Sequence, residues 1–179
     1  ASEKGTIMGT TFPCKITYQD INGKTIINTP NGVDAVNGVR VGLQGTSSLS
    51  YNAKNLEIYC GDIDATGKKQ LFVPKDSWLP ENEFTLKADV VDSSHSNNTT
   101  CGKFVNTVCE KFSDSISEDS VFKPYIKNCL EGFPILLFMH IVTEDPDTGL
   151  KDDVYYYFGV YNFNLGREAY FNLGYKDLR

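Results

Sequence analysis

The sequence predicts an α+β domain, a largely antiparallel sheet carrying one main packed helix. Three observations support this. Apolar and polar residues alternate with period two in several segments, as on strands with one face buried. The period changes to that of a helix once with clarity, just after the polar cluster DSSHSNNTT. Aromatic residues make up 12% of the chain, with ten Tyr and eleven Phe, which suits a pleated surface better than a helical bundle. At 179 residues, 40% hydrophobic and 22% charged, the chain fits one domain with a substantial core. We divide it into N-terminal strands over 1–37, a core over 38–163 and a C-terminal extension over 164–179.

The elements follow in order. CKITY, from Cys14 to Tyr18, alternates, and the Asn22-Gly23 pair predicts a tight turn before a returning strand over Thr25 to Asn28. In GVRVGLQG, Val39, Val41 and Leu43 share a face; in KNLEIYC, Leu56, Ile58 and Cys60 do so, with Lys54 in phase just before them. Alternation on both sides of the hydroxyl-rich GTSS segment predicts a hairpin with a long connection. DATGKK reads as a turn and LFVP as a short strand ended by Pro74. Phe84, Leu86, Ala88 and Val90 alternate with Thr85, Lys87 and Asp89 as a further strand.

Phe104, Val105, Val108 and Phe112 then fall on one helical face, predicting a helix from about residue 98 or 99 to 112, with upstream Ser and Asn residues able to cap it. A second helical piece is expected around 117–130, limited by Pro124. The apolar run FPILLFMHIV, Phe133 to Val142, reads as a strand buried on both faces. EDPDTGLKDD is a turn-rich connection, and VYYYFGVYNFN returns as a second long strand, antiparallel to the first.

Net charge is −6, with no basic stripe, which argues against nucleic acid as a ligand. No run of 18 apolar residues predicts a membrane-spanning helix. The five cysteines lack zinc-site spacing and read as free thiols. Cys101 and Cys109, on one helix, would stand roughly 12 Å apart, too far for a disulfide. The N-x-T sequons at Asn97 and Asn98 read as a plain polar loop. The chain opens on ASEKGT and closes on KDLR, so the expectation is a segment of a longer polypeptide.

Three stretches together resemble the CotH-like family, in the versions carried by virion proteins of tailed bacteriophages. They are VGLQGTSSLSYNAKNLEIY with its Lys54-Asn55 pair, FTLKADVVDSSHSNNT, and YFGVYNFNLGREAYFNLG. CotH proteins are similar to protein kinases in fold, so the resemblance implies a likeness to a kinase small lobe. Lys54 would then stand where a kinase anchors phosphate, with Gly45, Thr46, Ser47 and Ser48 as the turn beside it. Yet no HRD- or DFG-like segment occurs, Gln44 stands where the bacterial enzymes have Arg, and Glu110 is the sole carboxylate on the expected helix, near its end. Phosphoryl transfer needs a base and groups that hold Mg²⁺. The expectation is therefore a non-catalytic structural or host-surface-contacting domain of a virion, in a tail or portal-proximal protein. Its partners would be other virion proteins in an oligomeric assembly, with a host glycan or protein as a further ligand. One alternative is the small lobe of an atypical kinase, which alone would require ATP and Mg²⁺. Another is a carbohydrate-binding module.

The candidate ligand-binding residues are Thr46, Ser47, Ser48, Lys54, Asn55, Asp89, Asp92 and His95. The three hydroxyls either meet a phosphate or sugar or cap their own turn. Lys54 either anchors an anion or pairs with Glu57, Asp89 or Asp92. Asp89, Asp92 and His95 form either an acid–base set or a polar knot ordering the helix start; no motif ties a nucleophile to them, which favours the knot. His140, within an apolar strand, reads as a core histidine. Asp145, Asp147, Asp152 and Asp153 lack EF-hand spacing and read as a solvated acidic loop without metal. Tyr155, Tyr156 and Tyr157, with Trp78, offer stacking faces, although alternation should commit one face of that strand to the core.

Overall fold

The computed structural model describes residues 11–32, 38–45, 47–62, 70–75, 78, 80–90, 94, 97–113 and 132–166. Their strands are β1 (Thr11–Pro13), β2 (Thr17–Gln19), β3 (Thr25–Asn28), β4 (Arg40–Gln44), β5 (Asn55–Tyr59), β6 (Glu83–Lys87), β7 (Phe133–Glu144) and β8 (Lys151–Leu165), with one α-helix, α1 (Asn97–Ser113). A six-stranded sheet has the order β1-β4-β5-β6-β8-β7, and β2 and β3 form a two-stranded sheet of their own. Every strand pair is antiparallel. The domain is α+β, as the alternation predicts.

Register explains the layering. Val41 lies opposite Ile58, Ile58 opposite Phe84, and Phe84 opposite Leu165. The next row runs Leu43, Leu56, Leu86, Phe163. Successive side chains point to opposite faces, so one face collects these apolar rows and the other collects polar ones. Phe163 is the hub of the core: its ring lies 5.7 Å from Tyr18, 5.9 Å from Trp78, 5.0 Å from Phe84 and 5.4 Å from Phe133. These separations are those of favourable aromatic pairs. Ile27, fully buried, brings the small sheet into the same cluster.

Local chemistry sets the small sheet in place. Asp20 Oδ1 accepts from the amides of Asn22 and Lys24, both at 2.9 Å, and closes the β2–β3 turn with Gly23 at φ 78°. After β3 the chain returns against Cys14, whose carbonyl accepts from Gly32 N at 2.9 Å. A Cβ at Gly32 would sit 1.9 Å from Val39 O, so this backbone approach requires glycine.

Several expectations need adjustment. Of the segment Cys14 to Tyr18 only Thr17 and Tyr18 lie in a strand, β2 of the small sheet, and β1 of the large sheet ends just before it. Phe72 makes a single bridge to Glu81 rather than a strand. Helix α1 has the expected extent, but among its positions with described burial Thr99 and Gly102 are the buried ones, and Phe104 is 69% exposed. At 3.6 residues per turn Phe104 lies about 200° around the helix from Gly102, so the buried side cannot include it. β8 also runs through the expected boundary at 163/164, because Asn164 and Leu165 pair with β6. DATGKK and the helical piece around 117–130 lie outside the described residues.

The largest correction concerns the β7–β8 hairpin. The sequence predicts Phe133 to Val142 buried on both faces; most of it is exposed on both. Leu136 is 63% exposed, Phe138 52%, Met139 44% and Val142 55%. The cause is topological. β8 pairs with β6 only through Asn162–Leu165, and among the described strands β7 has β8 as its one neighbour, so the remaining hairpin runs past the end of the sheet. Nine residues of β7 beyond Ile135 make an arm roughly 30 Å long. Between Leu137 and Phe138 the register shifts: Leu137 faces Gly159 and Phe138 faces Tyr157, which leaves Phe158 as a β-bulge at the root of the arm.

Candidate functional site

The hydroxyl-rich connection between β4 and β5 contains a short 3₁₀ turn, Ser47–Ser50. Thr46, Asp92 and His95 lie outside the described residues, as do the side chains of Ser47 and Ser48. The structure places Lys54, Asn55 and Asp89. Lys54 Nζ donates to the carbonyl of Leu49 at 2.7 Å and to that of Tyr51. Its ammonium therefore closes its own connection. Asn55 Oδ1 accepts from Ala88 N at 2.9 Å and ties the start of β5 to the end of β6. Asp89 has φ 46°, a left-handed backbone that Asp tolerates better than most residues, and its carboxylate accepts from Asn162 Nδ2 on β8. Lys54 and Asp89 each adjoin a member of the Asn55–Ala88 bond, so all three residues occupy one end of the sheet.

At that end the polar face carries a set the sequence reading did not single out. Lys87 donates to Gln44 Oε1 across two strands. Burial lowers the pKa of the Lys87 ammonium, and the charges of Asp89 and Glu57 push it back up. Lys87 pairs in register with Asn162, and Thr85 with Asn164. Thr85, Asn162 and Asn164 are all buried. The signal was present in the alternation of TLK and of NFN, which marks one face of β6 and β8 as polar. These bonds join strands to strands, and they make this end of the sheet a polar brace.

The same face holds a cavity lined by Thr11, Arg40, Gly42, Glu57, Tyr59 and Glu83, of about 130 Å³. Small-molecule sites usually enclose roughly 300–1,000 Å³. Arg40 packs over the Tyr59 ring at 4.1 Å, and Tyr59 donates to Asp62. Burial, then the bond to Asp62, pushes the Tyr59 phenol up to about 12. On the opposite face burial, with a smaller contribution from Cys14, pushes the Cys60 thiol up to about 12, a value for an inert core thiol. Among the described residues, no group of three or more His, Cys, Asp or Glu could hold a metal ion.

The arm is the other candidate surface. Tyr155, Tyr156 and Tyr157 are 66%, 53% and 58% exposed, so neither face of this stretch belongs to the core, contrary to the alternation argument. Trp78 is buried and offers no stacking face. His140 is not a core histidine: it stacks on Tyr155 with ring centroids 4.1 Å apart and meets Asp153 Oδ1 at 2.5 Å. At the tip, Asp145 Oδ1 accepts from the amides of Asp147 and Thr148, both at 2.9 Å. Those bonds lower the Asp145 pKa. The acidic connection is a turn held by its first aspartate. No helix among the described residues is long and apolar enough to cross a membrane.

No protein-family model, no curated protein and no solved structure matches this chain.

Proposed function

We propose that this chain is a non-catalytic domain of a bacteriophage virion protein, CotH-like in its motifs, that takes part in assembly or host contact through the β7–β8 arm. The observation that carries the reading is the exposure of large apolar side chains on both faces of that arm, from Leu136 to Val142 and from Tyr155 to Val160. Exposed apolar surface on this scale marks an interaction site. A two-stranded ribbon alone in water is marginally stable, so its partner supplies the second layer it lacks. Two further observations support a non-catalytic role. Lys54 donates to its own loop carbonyls, and Asn55 and Asp89 bond across strands. Each of these polar groups has structural work that a phosphate site would have to undo.

The test compares particles carrying the whole chain with particles offered a form in which residues 138–158 are replaced by a short turn. Incorporation should fall at least about tenfold, as loss of about 1.4 kcal/mol or more of contact energy requires. Equal incorporation overturns the reading. So does a saturable rise in melting temperature with ATP and Mg²⁺ that Lys54→Ala abolishes, since a ligand that binds the folded state must stabilise it. The same titration with a glycan panel tests the carbohydrate-binding alternative.

A further inference from the structure

We infer that the arm's partner is the arm of a second copy of this chain, packed face to face and antiparallel across a two-fold axis. This inference rests on the assembly reading above and names the partner. Register and the bulge put Leu136, Phe138, Val142, Tyr155, Tyr157 and Val160 on one side of the ribbon, with the His140–Asp153 pair among them, and the exposures of the six apolar residues run from 48% to 66%. Together they leave on the order of 700 Å² in water, close to the roughly 800 Å² per partner that a standard interface buries. The opposite side offers less: Met139, Ile141 and Tyr156 are exposed there, the bulged Phe158 turns its ring toward Tyr161 at 6.2 Å, and the side runs into Ile135 and Leu137, which pack on the domain's own core. The larger side is thus the one left for a partner.

That side is suited to itself. Its middle is aromatic, with Phe138 and Tyr157 at 5.4 Å and His140 stacked on Tyr155. Aliphatic residues stand at either end, Leu136 and Val160 near the root and Val142 toward the tip. A two-fold axis through the aromatic middle sets the root aliphatics of one copy against the tip aliphatic of the other, as an isologous contact requires. Charge selects the direction. The tip carries Glu144, Asp145, Asp147, Asp152 and Asp153 against Lys151. Antiparallel stacking sends the two acidic tips to opposite ends of the interface, whereas parallel stacking would bring like charges together.

The test is sedimentation equilibrium of the full 179-residue chain from low to high micromolar concentration, with two charge-introducing variants. Both substituted positions are solvent-exposed, and near-ultraviolet circular dichroism checks that each variant folds. The parent should sediment at twice the chain mass. Phe138→Asp, which forces a carboxylate into the apolar contact, should weaken the dimer at least about 100-fold. Tyr156→Asp, the same charge on the opposite side, should leave it dimeric. A parent that stays monomeric throughout, a dimer that survives Phe138→Asp, or one that only Tyr156→Asp dissolves would each overturn the inference. A monomer whose arm-less form is still excluded from particles removes the second copy and leaves the assembly reading; entry of the arm-less form into particles removes that reading itself.

Discussion

The root and the tip of the β7–β8 hairpin are built from the same kinds of residue and have opposite fates. At the root, Phe133, Ile135, Tyr161 and Phe163 pack into or against the core. A few residues further on, Phe138, Ile141, Tyr155 and Tyr156 face solvent. Composition does not separate them. What does is the neighbour: β6 pairs with β8 through Asn162–Leu165 and no further. Apolar sequence states a demand for burial, and topology decides whether this chain or another molecule meets it.

That contrast can be broken by substitution. Phe163→Ala at the root removes the aromatic hub and should cost about 3–5 kcal/mol, read as a lower urea midpoint. A loss under about 1 kcal/mol would mean that the root is no better packed than the tip. Asn55→Ala removes the bond that Ala88 N donates to Asn55 Oδ1 beside the anchored strands. It should cost about 1–3 kcal/mol in the same assay, and an unchanged midpoint would remove Asn55 from the brace. Alkali sharpens the comparison further. Burial holds the folded Cys60 thiol at about 12, above its ordinary value of 9.0, so the unfolded chain releases its proton first. The stability this group contributes is whole below pH 9.0 and is lost as pH rises toward about 12. The urea midpoint should fall across that window and fall less steeply in Cys60→Ala; parallel slopes would exclude the thiol. Smallest of all, Tyr156→Ser on the arm should change the stability read from the same assay by less than about 0.5 kcal/mol, and a larger loss would show the tip to be packed within its own chain.

Much of the fold was legible because alternation is a direct record of one-sided burial. The rows through Val41, Ile58 and Phe84 and the polar partners Glu57 and Thr85 could be read from period two alone. The arm could not be read that way. A continuous apolar run looks the same whether both faces are covered within the chain or neither is. Strand length was the remaining clue, since strands of 12 and 15 residues cannot be fully paired beside neighbours of five. The helix boundaries were legible from its period, but the burial of Thr99 and Gly102 was not, because neither carries a hydrophobic signal. Lys54 stood out for its position in a motif, while Lys87, more deeply embedded in the sheet, passed as an ordinary polar member of an alternating strand.

The unpaired residue at position 158 acts as a phase shifter. From Phe163 down to Gly159, odd-numbered positions of the last strand look toward the core side; past the skipped partner, Tyr155 and Tyr157 look the other way. Uninterrupted pairing of the same letters would trade two phenol rings for one on the outward surface. Which aromatic pattern this molecule shows its surroundings is therefore decided by a single missed rung in the ladder, independently of how many tyrosines the strand contains.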